Sequence, residues 1–274
     1  MDSFSLSNFQ LVDKVAVVTG GAGIIGKHFC RGLAEAGAHV AILDIDKPSA
    51  LELAGELKNH FEIEAIGYQC DVSNVESVTK SIKKVVGDFG QIDVLLNNAA
   101  TKSDDLGAFF STFEDYELEQ WQKIMAVNID GMFLVAQAVG KQMKSQGCGG
   151  SIIQIASIYG IMAPDPRIYD GATYLGHQIN TPAAYSVAKA GVIGLSRYLA
   201  TYWASANIRV NSITPGGVES GQNERFKANY SNRVPMKRMA NASEMVGAMI
   251  YLASDASSYV TGQNLVIDGG LSVW

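Results

Sequence analysis

The chain is poor in cysteine. Cys30, Cys70 and Cys148 are its only three; they are widely spaced, and no CxxC pair occurs. That argues against a disulfide framework or a metal site of the zinc type, and the expected compartment is a reducing cytoplasm. Proline is equally scarce, 6 of 274 residues, while 47% of the chain is apolar. A disordered or linker-type chain has the reverse balance, so this one buries a core. Basic side chains number 21 against 27 acidic ones, a net charge of −6, and the footprint of a nucleic-acid binder is missing. No unbroken apolar run reaches the ~18 residues of a membrane span. The start, Met1-Asp2-Ser3-Phe4-Ser5, carries neither the basic region nor the apolar stretch of a secretory signal. No repeat of solenoid length is present. The expected partner is a small molecule, with no nucleic acid and no membrane.

What the chain has in excess is glycine, 28 residues or about 10%, against a usual ~7%. The pattern around these glycines is strand, turn, helix. Residues 15–19 (VAVVT) are apolar on both faces, as in a buried parallel strand. Residues 24–36 have helical periodicity and stop at Gly37. The alternation continues with strands at 39–43, 64–70, 92–96, 151–156, 209–213 and 265–267. Helices are expected at 49–60, 74–89, 117–146 and 183–205, with Asn74 or Ser73 as an N-cap and Gly131 and Gly140 as weak points of the longest. Such alternation predicts an α/β domain, one parallel sheet with right-handed crossovers and helices on both faces. No linker divides it, so residues 1–274 are read as one domain. Two irregular segments, 101–116 and 161–181, each follow a strand's C-terminal end, where open α/β sheets bind ligands. They are candidate substrate walls, or else a lid or oligomer contact.

The first strand leads into Thr19-Gly20-Gly21-Ala22-Gly23-Ile24-Ile25-Gly26, in which Gly21, Gly23 and Gly26 satisfy GxGxxG. A strand must turn sharply into a helix there, and bare backbone N–H groups at the helix start suit a pyrophosphate. Asp44 ends the second strand, 18 residues beyond Gly26. A carboxylate at that place accepts both hydroxyls of an adenosine ribose and repels a 2′-phosphate. With Ile45 next to it and no Lys or Arg in the turn, NAD is favoured over NADP. Tyr185 and Lys189 form the only YxxxK in the chain, one helical turn apart. A free phenol is a poor base near neutral pH, and a neighbouring ammonium lowers its pKa. Ser157, at the end of the fifth strand, can donate to a substrate oxygen. Asn128, in the long preceding helix, offers an amide that can hold a water near Lys189.

Taken with CDV from Cys70, NNAA from Asn97, IRVNSITPGG from Ile208 and YVTGQNLVIDGG from Tyr259, these stretches make the chain resemble a classical short-chain dehydrogenase/reductase. The resemblance implies a Rossmann-type doubly wound sheet of seven parallel strands in an αβα sandwich, and a homotetramer or homodimer. It implies Asn128, Ser157, Tyr185 and Lys189 as the catalytic four. It places Gly20, Gly23, Ile24, Ile25, Asp44 and Ile45 on the cofactor, with Asp71 and Val72 at the adenine and Asn98, Ala99 and Ala100 along its middle. Pro215, Gly216, Val218 and Ser220 fall at the nicotinamide. The reaction implied is hydride transfer between a secondary alcohol and a ketone. Polar residues of the two loops (Lys102, Ser103, Asp104, Asp105, Arg167, Tyr169, Asp170, Tyr174, His177, Gln178, Asn180) suit a polyhydroxylated, carbohydrate-like substrate. The substrate candidates are Ser157, Tyr159, Arg167, Tyr185, Gly217 and Arg233.

The chain departs from the family pattern at position 24, where the usual glycine is Ile24. The spacing Gly20, Gly23, Gly26 is closer to nucleotide-sugar epimerases and dehydratases, which need a larger C-terminal region than the 85 residues after Lys189. A catalytically silent NAD-binding scaffold is the other alternative.

Overall fold

The computed structural model describes residues 5–103 and 105–274. The first four residues and Asp104, one of the expected loop side chains, lie outside them. Seven strands form one all-parallel sheet: β1 (Val15–Thr19), β2 (His39–Asp44), β3 (Ala65–Gln69), β4 (Val94–Asn97), β5 (Gly150–Ile155), β8 (Ile208–Pro215) and β9 (Asn264–Ile267). A separate antiparallel hairpin pairs β6 (Thr173–Tyr174) with β7 (His177–Gln178). The sheet order is β3-β2-β1-β4-β5-β8-β9. The connections leave β1 in opposite directions, and the crevice between β1 and β4 is where such a sheet receives a ligand.

The helices cover both faces. On one side α1 (Ile24–Glu35), α2 (Lys47–His60) and α9 (Val246–Ala253) bury Phe29, Leu33, Leu53, Met249 and Leu252 against Val18, Ile42, Leu96 and Ile153. On the other, α3 (Val75–Phe89), α6 (Met132–Gln146) and α7 (Ala183–Trp203) bury Ile82, Val139, Met143 and Trp203 against Val17, Leu95, Ile152 and Val210. Period-two alternation is missing from the central strands because both faces are dry. Each fully buried Leu or Ile contributes roughly 1.5–3 kcal/mol relative to exposure.

Helix ends follow their residues. Asn74 caps α3 through Ser77 N–H, and Asp46 caps α2 through Ser49 N–H, which starts that helix two residues before the predicted 49. The expected long helix is continuous from α5 (Leu118–Met125) into α6, but residues Ala126–Gly131 form a π turn. At 29 residues this stretch is long and apolar enough to cross a membrane by length and composition, though no unbroken apolar run marks it. Its Ile124, Met132, Val135, Val139 and Met143 are spent on the protein core.

The two expected irregular segments are partly ordered. The first holds a one-turn helix, α4 (Leu106–Phe109), and the second holds a 3-10 turn (Pro166–Tyr169) and the β6–β7 hairpin. A polar helix that periodicity does not reveal, α8 (Glu224–Arg233), lies over the second segment. Asn229 Nδ2 donates to the carbonyls of Ile168 and Asp170, and Asn223 Nδ2 to Thr173 Oγ1.

Candidate active site

A cavity of about 780 Å³ runs along the C-terminal ends of the strands. At one end β1 turns into α1. Gly20 takes φ +58, and a Cβ on Gly26 would lie 2.1 Å from the Gly20 carbonyl oxygen, so neither position accepts a side chain. Gly23 is the N-cap of α1 and provides no side-chain cap, which leaves the first N–H groups of the helix directed at the cavity. The departure at position 24 has a simple reason: Ile24 is 55% exposed on the cavity wall, and the close approach of backbone to backbone is made by Gly20 and Gly26.

Asp44 stands at the tip of β2 with its carboxylate held in place. Its Oδ2 accepts from Ala22 N–H at 3.0 Å and its Oδ1 from Asp46 N–H at 3.0 Å. Ile45, Asp71 and Val72 complete this end of the cavity, and Ile25, Ala99 and Ala100 line it further in. Thr19, quoted in the glycine motif but given no role there, ties β1 to β4: its Oγ1 donates to Asn97 Oδ1 and accepts from the N–H groups of Asn98 and Ala99. Asn98 returns its amide to the carbonyls of Thr19 and Gly20. A glycine cradle, an uncapped helix start and a fixed carboxylate together fit a dinucleotide whose ribose hydroxyls meet Asp44.

At the other end, β5 delivers Ser157 and α7 delivers Tyr185 and Lys189. Ser157 is buried, and its Oγ accepts from Tyr159 N–H at 3.3 Å, leaving the hydroxyl proton for another acceptor. Lys189 is 2% exposed and donates from Nζ to the Ile155 carbonyl at 2.8 Å. Burial lowers its pKa to about 8. Burial raises the Tyr185 phenol above its ordinary value, and the Ser157 hydroxyl beside it acts in the opposite direction. The Lys189 ammonium stands 5.9 Å from the centre of the Tyr185 ring.

Asn128 is buried in the π turn of the long helix. In the fold, its Oδ1 accepts from Thr101 N–H at 2.8 Å and its Nδ2 donates to the Thr101 carbonyl at 3.2 Å. The amide clamps the start of the 101–116 segment onto the π turn, 27 residues away in sequence.

Pro215, Gly216, Gly217, Val218 and Ser220 border the cavity beyond the tip of β8. Tyr230 of α8 accepts from Gly217 N–H, and a Cβ at Gly217 would meet that ring at 2.6 Å, which accounts for the second glycine. Of the substrate candidates, Tyr159 lines the cavity; Tyr169, Tyr174, Asn180 and Lys102 do so as well. Nothing in the local pattern marks Phe226, Tyr230 and Met239 for this wall, because they arrive from elements whose docking is long-range. Arg167 and Arg233 are corrections: both pair with Asp165, at 2.7 Å and 2.9 Å, on the outside of the cavity wall. Asp170, His177 and Gln178 are exposed and outside the lining. Ser103 and Asp105 are likewise outside it, turned to Gln120 and to the start of α4. Among the described residues, no group of three or more His, Cys, Asp or Glu side chains is placed to hold a metal ion.

A dinucleotide cradle facing a Ser-Tyr-Lys cluster across one cavity defines an oxidoreductase of the Rossmann type. The chain belongs to the short-chain dehydrogenases/reductases. A family model described as enoyl-(acyl carrier protein) reductase matches residues 20–272. The chain is similar to the D-arabinitol 2-dehydrogenase [ribulose-forming] of Candida tropicalis, with 33% identity over 97% of this chain and 95% of the relative. It is 34% identical to the D-threitol dehydrogenase of Mycolicibacterium smegmatis, over 97% of this chain and 95% of that one. Among solved structures it is similar to a gluconate 5-dehydrogenase from Burkholderia cenocepacia in complex with NADP and tartrate, with 32% identity and a TM-score of 0.87, covering 99% and 100% of the two chains.

Proposed function

We propose that the protein is an NAD-dependent dehydrogenase that interconverts a secondary alcohol and a ketone on a small polyol or related carbohydrate. The observation that carries this reading is the fully buried Lys189 one helical turn from Tyr185, beside Ser157, under a wall rich in hydroxyl groups. Bound NAD supplies the hydride acceptor. Tyr185 takes the carbinol proton, and the Ser157 hydroxyl, keeping its own proton, hydrogen-bonds to the same oxygen. Lys189, held by the Ile155 carbonyl, stabilises the phenolate by its charge and has further protons for a ribose hydroxyl. The polyol-dehydrogenase names of the relatives support the substrate class.

The preference for NAD over NADP is supported by Asp44, whose carboxylate is held by two backbone N–H groups at the tip of β2 and would repel a 2′-phosphate. Self-association into a homodimer or homotetramer belongs to the same reading. It is supported by exposed Phe133 on α6 and by the stacked, exposed pair Tyr198 and Tyr202 on α7. A cytoplasmic location is supported by three unpaired cysteines, two of them buried.

The test is NADH release across a panel of polyols, sugar acids and sugars. Tyr185→Phe is expected to lose about 10²–10⁴-fold in kcat, with NADH still bound. Turnover close to the wild type in that variant overturns the assignment. Conversion of a sugar with no net NADH would mark an epimerase, and activity with NADP alone would remove the Asp44 argument.

A further inference from the structure

We propose that a chain of three hydroxyls, Tyr159, Tyr169 and Thr181, selects substrates carrying a second hydroxyl near the reacting carbon. This rests on the proposed dehydrogenase reading and goes further, to the group that reads the substrate. Tyr169 Oη donates to Tyr159 Oη at 3.2 Å and shares a 2.5 Å bond with Thr181 Oγ1 in which either atom can be the donor. All three side chains line the active-site cavity.

The proton count decides what such a chain can do. Three hydroxyls hold three protons, and two hydrogen bonds use two of them. When Thr181 donates to Tyr169 and Tyr169 to Tyr159, the unspent proton is on Tyr159. Run in reverse, the unspent proton is on Thr181. In either direction one end of the chain offers a donor, and both ends lie on the cavity. Burial pushes the phenols of Tyr159 and Tyr169 upward, so they stay protonated donors at working pH.

Position fixes which oxygen is read. Tyr159 sits two residues from Ser157 on the same 3-10 turn, so this donor is tied to the group that meets the reacting oxygen. Tyr169 and Thr181 come from the 161–181 segment, which gives that insertion a chemical task. Apart from these hydroxyls the wall here is apolar, with Ile158, Ile168, Ile179 and Phe226 packed around the tyrosines. A hydroxyl facing such a wall is costly to leave unpaired, so a substrate carbon bearing OH is favoured over one bearing only hydrogen.

The experiment compares 2,3-butanediol with 2-butanol, equal in carbon number and differing by one hydroxyl. The wild type is expected to show a kcat/KM ratio of at least ~10 in favour of the diol. In Tyr159→Phe and in Tyr169→Phe that ratio is expected to fall about tenfold, through KM of the diol. NADH fluorescence on each variant checks that it is folded. Folded variants that keep the wild-type ratio overturn the hydroxyl-chain proposal while leaving the dehydrogenase reading intact. A wild type that oxidises neither these alcohols nor any polyol overturns the dehydrogenase reading itself.

Discussion

Lys189 is a cation placed where the fold least favours one. It is 2% exposed, and one Nζ proton is bonded to a main-chain carbonyl. Its folded pKa of about 8 lies below the ordinary 10.5, so the charged form is the one that burial penalises. The sign follows: below pH ~8 the fold carries the full penalty, and between about 8 and 10.5 stability from this group rises as the folded lysine sheds its proton first. Lys189→Met is therefore expected to raise Tm by a few degrees at neutral pH, with the lost bond to Ile155 reducing the gain. The Tm difference from the wild type should shrink above pH 8, and turnover should drop by two orders of magnitude or more. Thermal unfolding scans at several pH values, beside NADH-release rates, check both. A variant less stable than the wild type at every pH would show that Lys189 supports the fold as well as the chemistry.

At the scale of elements, the π turn at Ala126–Gly131 links the cofactor side of the site to the substrate side. Its Asn128 binds both polar groups of the Thr101 backbone, and Gly131 lets the helix approach Val72, whose Cγ2 would lie 2.8 Å from an added Cβ. Asn128→Ala removes both bonds at part-buried groups and is expected to cost about 1–2 kcal/mol. Polyol KM should rise several-fold as the backbone at Thr101 loosens; denaturant unfolding and steady-state rates are the measurements. The sequence made the helix and the position of Asn128 legible, because apolar periodicity is a local signal. The π turn was not legible, since apolar periodicity does not distinguish a six-residue π segment from the α-helix on either side of it. The strands and the glycine turn were readable for the same local reason, as was the YxxxK pair. Helix α8 escaped because only Phe226 and Tyr230 are buried along its ten residues, too few to mark a face. Arg167 and Arg233 were misplaced because a charge near a site in sequence says nothing of its partner, and here the partner is Asp165.

For the molecule as a whole, that partner joins the pieces that roof the substrate end. Asp165 belongs to the 161–181 segment and Arg233 ends α8, while the Arg233 carbonyl accepts from the Trp274 indole at the C-terminus. Arg233 thus joins three distant parts of the chain, through its guanidinium to Asp165 and through its carbonyl to Trp274. Tyr169 also stacks on Phe226, and Phe226 on Tyr230, so the roof has an aromatic layer beneath its polar ties. The Arg167 guanidinium first, with Arg233 adding its charge, holds the Asp165 carboxyl at about 2. A depressed folded pKa stabilises above the ordinary 3.8, and the contribution fades as pH falls through about 4 towards 2. Asp165→Asn keeps the shape and removes the charge, so it should loosen α8 from the insertion without touching the Ser157, Tyr185 and Lys189 cluster. An exposed ion pair is worth about 0.2–1 kcal/mol, and two share this carboxylate, so a loss of about 1 kcal/mol is expected. The functional mark should be a rise in polyol KM with the NADH Kd little changed, because Asp165 lies at the substrate end and Asp44 with the glycine turn at the other. Faster proteolytic cutting within residues 161–181 and 224–233, relieved by bound cofactor and polyol together, is the corresponding structural readout. Equal cutting rates in variant and wild type would mean that the aromatic layer alone holds the roof closed.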